Sequence, residues 1–64
     1  MTFADVGVGQ VFVFNEGGYP RIKLEGPKHL VLAGYRWTYD GNPAADTAVY
    51  AVYKTESLNL VEVK

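Results

Sequence analysis

Few side chains in this sequence are suited to nucleophilic or acid–base catalysis. The chain of 64 residues has one histidine, His29, one serine, Ser57, and no cysteine. His29 stands directly before an apolar run, a position more typical of a surface or edge residue than of a general base. The carboxylates show no spacing that would force the pKa of one of them upwards. We therefore predict that the protein is not an enzyme.

The sequence also lacks the patterns of metal and phosphate sites. With no cysteine, and with His29 as the single imidazole, a thiolate or histidine-based zinc site within one chain is excluded. The run Asp40-x-Asn42 followed by Asp46 begins like a calcium loop, but its later ligand positions fall on alanines, which indicates a turn. No glycine pair has the context of a phosphate loop. We expect neither a cofactor nor a metal.

Aromatic and basic residues form the one constellation that points to binding. The chain has five Tyr and one Trp beside three Phe, and a core this small cannot hide so many hydroxyl-bearing rings. Tyr, Trp and Arg dominate the hot spots of protein interfaces. An alternative is that Trp37 fills the core and the tyrosines rim it. The predicted protein-binding surface consists of Tyr19, Arg21, Lys23, Tyr35, Arg36, Trp37 and Tyr39.

The distribution of charge leaves two further partners open. A net charge of −1 argues against a general nucleic-acid binder, because phosphate contacts need clustered cations. Residues 21–36 nevertheless hold four cations against Glu25 alone, so a nucleic-acid or nucleotide binder that stacks bases on Tyr19 or Tyr35 is the second hypothesis. A virion structural protein that pairs with another subunit through residues 48–53 or 58–63 is the third. The four cations are Arg21, Lys23, Lys28 and Arg36.

Six short apolar runs separated by turn residues predict strands. The run Gln10–Phe14, closed on both sides by glycine-containing segments, is typical of a central strand covered on both faces. Alternation in the second run places Ile22 and Leu24 inward and the neighbouring cations Arg21 and Lys23 outward. Alternation in the fourth run places its three aromatics on one side. The remaining runs are 19–24, 29–33, 35–39, 48–53 and 58–63, with a turn expected at 54–57.

The connections between these strands are too short for parallel crossovers, which need a dozen or more residues. Thr2 and Asp5 have the spacing of a capping box, so residues 3–6 are expected to form one helical turn in which Phe3 and Val6 plug the end of the fold. Closing the sheet would remove its exposed edges. We predict an all-β fold, a small antiparallel SH3-like barrel of five to six strands with one short N-terminal helical turn.

The barrel is expected to be a single domain spanning residues 1–64. A chain this short buries only about 60% of the surface that its unfolded form exposes, so a partner subunit would help to stabilise it. A flat sheet that dimerises through residues 48–53 is therefore an alternative, and a homo-oligomer stays open. The N-terminus lacks the features of a secretory signal, and no stretch approaches the roughly 18 apolar residues that cross a bilayer. The expected location is the cytosol, without a membrane partner.

The order of these motifs resembles a group of very small, mostly uncharacterised proteins common in tailed-phage genomes. That group shares a tF-x-dl-x-vGd-x-F-x-f opening, a central Lys-Ile pair, an nl-x-tG segment and a V-x-x-v close. The resemblance covers about residues 2–52 and implies a phage accessory protein without catalytic residues. The matching segments are Thr2-Phe3, Asp5-Val6, Val8 to Phe12, Tyr19 with Arg21-Ile22, Leu30 to Gly34 and Val49 to Val52.

The chain departs from that group at three places. Gln10 stands where the group has Asp, Arg21 replaces the Lys, and residues 54–64 extend beyond the usual end. The last strand therefore either completes the barrel or pairs with another subunit.

Overall fold

The computed structural model describes residues 1–56 and 59–63. The N-terminus forms a 3₁₀ turn, Phe3–Asp5. None of the described residues belongs to a helix with the length and apolar character needed to cross a membrane. The strands are β1 (Val11–Val13), β2 (Arg21–Lys23), β3 (His29–Ala33), β4 (Arg36–Tyr39), β5 (Ala51–Glu56) and β6 (Asn59–Val63).

The strands form one antiparallel sheet in the order β4-β3-β2-β1-β5-β6. β1 is an interior strand, paired with β2 on one side and with β5 on the other. The predicted all-β antiparallel fold with one short N-terminal helical turn is confirmed. The sheet is open over the described residues, because its outer strands β4 and β6 do not pair with each other.

The fourth strand begins one residue later than predicted, and the fifth is shifted along the chain. Tyr35 belongs with Gly34 to the two-residue turn between β3 and β4, where Gly34 adopts a φ of 66° that glycine accommodates without strain. Residues 48–50 precede β5: the N–H of Val49 donates to the carbonyl of Met1 at 3.0 Å, and the N–H of Tyr50 donates to the carbonyl of Val13 at 3.0 Å. β5 continues through residues 54–56, so the turn predicted there is wrong.

β5 is also paired along both of its edges, since β1 and β6 flank it. The alternative of a sheet that dimerises through the backbone edge of residues 48–53 needs an open edge at that place. Val52 and Tyr53 do not provide one, because each pairs with β1 on one side and with β6 on the other.

The core packs the 3₁₀ turn against β1 and β5. The ring of Phe12 is fully buried, with its centroid 5.6 Å from that of Phe3, 5.1 Å from that of Phe14 and 5.9 Å from that of His29. These edge-to-face and tilted arrangements are favourable for aromatic rings. Phe3 and Val6, which the sequence predicts to plug the end of the fold, are both buried in this core. The buried cluster consists of Phe3, Val6, Phe12, Val49 and Val52.

The predicted orientation of β2 is wrong. Residues directly opposite each other in an antiparallel pair share a face, and Arg21 lies opposite the buried Phe12. Arg21 and Lys23 therefore lie on the core side, and Lys23 is only 9% exposed. Ile22 and Leu24 alternate with them and are half-buried on the opposite face.

Aromatic rings explain why cations occupy the core side of β2. The Lys23 ammonium lies 4.5 Å from the centroid of the Phe3 ring and donates a hydrogen bond to the Phe3 carbonyl at 2.9 Å. The Arg21 guanidinium lies 4.9 Å from the centroid of Phe14. These are cation–π distances, and the aliphatic stems of both side chains can cover the core. The sequence correctly predicts that the side chains of β2 alternate between the two faces of the sheet. Which of them face the core depends on these cation–π contacts.

The carboxylate of Asp5 caps the 3₁₀ turn, as the sequence predicted. Its Oδ2 accepts hydrogen bonds from the backbone N–H of Thr2 at 2.9 Å and from the Thr2 hydroxyl at 3.1 Å. The bond from the Thr2 backbone, followed by that from the hydroxyl, holds the pKa of Asp5 below its ordinary value. Because folding favours the ionised form, this stabilisation is present above the ordinary carboxyl pKa and is lost as the pH falls through the folded value.

Candidate protein-binding surface

Four of the seven predicted binding residues lie together at one edge of the sheet, on β4 and on the turn that precedes it. Tyr35 in the turn is fully exposed, and Arg36, Trp37 and Tyr39 are exposed along β4. Trp37 is 42% and Tyr39 53% exposed, so Trp37 does not fill the core. We call these four residues the β4 surface.

Tyr19 stands close to the turn end of the β4 surface in the fold. The carbonyl of Pro20 accepts a hydrogen bond from the N–H of Leu32 at 2.8 Å, which aligns the start of β2 with the end of β3. That end of β3 leads through Gly34 into β4. Tyr19 itself is 66% exposed, so its ring is open to solvent beside this hairpin.

β4 is an edge strand, and its hydrogen-bond pattern shows which backbone groups face outward. The N–H of Asp40 donates to the carbonyl of His29 at 3.1 Å, which makes these two a hydrogen-bonded pair. Hydrogen-bonded and non-hydrogen-bonded pairs alternate in an antiparallel ladder. Thr38 therefore bonds towards β3, whereas Trp37 and Tyr39 direct their N–H and carbonyl groups away from the sheet.

An apolar strip adjoins this open edge. Tyr39 lies opposite Leu30 and Trp37 lies opposite Leu32, so these four side chains share one face of the sheet. Ile22 lies opposite Leu30 and extends the strip onto β2. Leu30, Leu32 and Ile22 are all half-buried. The edge thus combines outward-facing backbone groups with two exposed aromatic rings and the half-buried aliphatic side chains beside them.

The opposite side of β4 is polar. Alternation places Arg36 and Thr38 there, as predicted for this strand, and both are exposed. Within the part of the chain that the structure describes, Arg36 forms no ion pair. Its guanidinium is therefore available to an acidic or carbonyl-bearing partner.

A polar network fastens the end of β4 to β2 and β3. Nη1 of Arg21 donates to Oδ2 of Asp40 at 2.6 Å and lies 2.8 Å from Nε2 of His29. Nδ1 of His29 lies 3.0 Å from the carbonyl of Gly41. Because a carbonyl can only accept, Nδ1 carries the proton and Nε2 accepts from Arg21, which makes the imidazole neutral. The prediction of a surface or edge position for His29 is wrong, since it is 2% exposed.

The loop that follows β4 also orients a residue of the β4 surface. The hydroxyl of Tyr39 donates to Oδ1 of Asn42 at 2.5 Å, while Asp40 and Gly41 are held by Arg21 and His29. The Tyr39 ring is thereby held in place while about half of its surface stays open. An aromatic ring that is ordered before binding loses less conformational entropy when a partner docks.

The cations predicted for a nucleic-acid surface are dispersed. Lys23 is buried on the core side, and Arg21 is engaged by Asp40 with only 20% of its side chain exposed. Lys28 and Arg36 are the exposed members of the predicted set of four. Two exposed cations provide little of the electrostatic affinity on which nucleic-acid binding depends.

Sequence reasoning missed the parts of this surface that belong to the backbone and to β3. The open edge depends on which strand lies outermost, and the strip on β3 depends on register. One signal was present, because Arg36–Tyr39 contains neither the Pro nor the Lys that commonly protects edge strands. Among the described residues there is no group of three His, Cys, Asp or Glu that could hold a metal ion.

No protein-family model, curated protein or solved structure matches the chain.

Proposed function

We propose that this chain is a non-enzymatic interaction module, a phage-encoded accessory protein that binds and modulates a host or phage protein in the host cytoplasm. The observation that carries the proposal is the open edge of β4, where the backbone of Trp37 and Tyr39 faces outward beside their exposed rings. Proteins that do not bind a partner through an exposed strand edge normally protect that edge against pairing.

The mode of binding that suits this edge is strand addition. An extended segment of the partner pairs with the outward N–H and carbonyl groups of Trp37 and Tyr39, which supplies affinity. Its side chains on one face meet the two rings and the aliphatic strip of Leu30 and Leu32, and those on the other face meet Arg36. Ring and strip contacts supply specificity, since Trp, Tyr and Arg concentrate binding energy at interfaces.

The proposed form of the fold is an SH3-like barrel. Support comes from the strand order, in which four strands form a meander and β5 returns to the free side of β1. The right-handed twist between neighbouring strands, about 20–25° on average, bends such a sheet around the 3₁₀ turn that plugs it. Of the two alternatives for the last strand, pairing with β5 supports the one in which it belongs to the sheet of its own chain.

A second copy of the chain is the other partner that fits the same edge, which differs from the pairing through residues 48–53 or 58–63 expected for a virion subunit. Two β4 strands from different copies could pair antiparallel about a two-fold axis, giving a continuous sheet. A nucleic-acid partner ranks below both, because Lys23 is buried and Arg21 is paired with Asp40.

Affinity capture from host lysate, with the wild type and a Trp37→Ala variant side by side, tests the proposal. We expect a protein to be captured by the wild type and its recovery to fall about thirtyfold or more for Trp37→Ala, the loss typical of an interface hot spot. The variant should keep its fold, because Trp37 is 42% exposed and outside the buried cluster.

Tyr50→Ala is the matched control for this capture. Tyr50 is 55% exposed, like the β4 aromatics, but it precedes β5 and lies outside the β4 surface. Equal loss from both variants would show that aromatic exposure in general, rather than the β4 surface, drives the capture. Light scattering that shows a dimer dissociated by Trp37→Ala would assign the edge to self-association.

A further inference from the structure

A pocket lies between the 3₁₀ turn and two loops, one between β2 and β3 and one after β4. Its volume is about 280 Å³. For comparison, an apolar cavity of about 150 Å³ in another protein is large enough to bind benzene. The residues that line the pocket are Phe3, Ala4, Lys23, Gly26, Pro27, Pro43 and Ala45.

One charged group lines this otherwise apolar pocket. Apart from Lys23, the lining side chains have no polar atom. Lys23 is 9% exposed, and its ammonium donates to the Phe3 carbonyl at 2.9 Å while lying 4.5 Å from the centroid of the Phe3 ring. An ammonium has three donors, so this carbonyl satisfies one of them.

No carboxylate neutralises this ammonium among the side chains that the structure describes. The ion pairs within that part of the chain involve Arg21, His29 and Asp40. Asp5 is near enough for Lys23 to help lower its pKa, but its carboxylate is occupied by Thr2. A buried charge without a counter-ion is costly, and an anion delivered into the pocket would offset that cost.

We propose that this pocket binds a small carboxylate with a short, branched apolar body. The carboxylate accepts hydrogen bonds from the remaining donors of the Lys23 ammonium, and the apolar body packs on Pro27, Pro43 and Ala45. This division, a largely apolar wall with one convergent polar group, is how small-molecule sites combine affinity with orientation. The ligand is either a free organic acid or the C-terminal carboxylate of a chain that ends in an apolar residue.

The pocket and the β4 surface share no residue, so this inference does not rest on the proposed interaction function. Lys23 also has a structural role, because it ties the 3₁₀ turn to β2 through the Phe3 carbonyl. The test must therefore distinguish loss of the ligand site from loss of this hydrogen bond between Lys23 and the Phe3 carbonyl.

Titration of the isotope-labelled protein with isovalerate, followed by amide chemical shifts, provides that test. We expect saturable shifts at Phe3, Ala4, Lys23 and Ala45 with a dissociation constant in the millimolar range, about what one ion pair and a small apolar body support. Isovaleramide has the same shape without the charge, and inorganic phosphate has charge without the apolar body. Each should bind at least tenfold more weakly than isovalerate.

Two variants locate the site. Lys23→Met keeps the stem and removes the charge, and it should weaken isovalerate binding at least tenfold. Ala45→Leu fills the pocket with Lys23 intact, and it should have the same effect while leaving the Phe3 carbonyl bond in place. If Lys23→Met fails to fold, Ala45→Leu and the acid–amide comparison on the wild type still decide the question.

The source of the carboxylate is distinguished by a short peptide that ends in valine, in its free-acid and amidated forms. Tighter binding of the free-acid peptide than of isovalerate would assign the pocket to a chain terminus, and weaker binding would assign it to a free acid. Equal binding of isovalerate and isovaleramide, tighter binding of phosphate, or shifts outside the pocket would each overturn the proposal.

Discussion

A Phe12→Ala variant is expected to be largely unfolded at room temperature. Phe12 is 0% exposed and its ring packs against those of Phe3, Phe14 and His29. Truncating a buried Phe to Ala costs about 3–5 kcal/mol. A core in a domain below about 70 residues rarely supplies more than 3–5 kcal/mol, so the loss is comparable with the whole stability. Far-UV circular dichroism and the dispersion of the proton NMR spectrum measure the outcome.

Two further variants bracket this result. Phe12→Leu keeps most of the volume and is expected to stay folded, with a loss of about 1.5 kcal/mol or less in urea denaturation. Val8→Ala changes a side chain that is 62% exposed and should lie within about 0.5 kcal/mol of the wild type. A dispersed spectrum and an unchanged urea midpoint for Phe12→Ala would show that the ring cluster is not the core of the fold.

Tyr39→Pro is expected to weaken partner binding about tenfold more than Tyr39→Ala does. Both variants remove the exposed ring, but only proline also removes the outward N–H and places its own ring against an incoming strand. The N–H of Tyr39 does not bond to β3, because Leu30 and Tyr39 form a non-hydrogen-bonded pair. Proline at this position therefore spares the ladder of its own sheet. Affinities of the captured partner, measured by calorimetry, provide the comparison.

Circular dichroism and the urea midpoint serve as the control, since both variants should retain the wild-type spectrum. Equal affinities for the two variants would mean that the partner contacts only the side chains of the β4 surface and not its backbone. The β4 surface would then bind as a patch, without strand addition.

The fold class was readable from the sequence because turn residues and periodicity carry it. The run at His29–Ala33 was predicted with the bounds that the structure has, since Pro27 precedes it and Gly34 ends it. The 3₁₀ turn was likewise marked by Thr2 and Asp5. Local signals of this kind do not depend on which strands become neighbours.

The errors concern tertiary contacts. Charge usually indicates solvent exposure and so predicts that Arg21 and Lys23 face outward, whereas cation–π contacts with Phe14 and Phe3 hold both cations on the core side. The position of His29 before an apolar run predicts a surface location, whereas its burial depends on the Gly41 carbonyl, twelve residues away, which accepts a hydrogen bond from Nδ1. Long-range partners of this kind leave no local pattern in the sequence.

The candidate site divides in the same way. The aromatic alternation of residues 35–39 was visible, but the open backbone edge follows from the position of β4 in the sheet. Strand order depends on how the whole chain pairs, and the absence of Pro and Lys from Arg36–Tyr39 is the one local sign of that edge.

Amide hydrogen exchange at Trp37, Thr38 and Tyr39 is the most direct test of strand addition at β4. In the free protein, the Trp37 and Tyr39 amides should exchange fast and the Thr38 amide slowly, because only Thr38 donates to β3. In complex with the captured partner, all three should exchange slowly. Fast exchange of Trp37 and Tyr39 in the complex, or protection of both in the free monomer, would contradict strand addition at this edge.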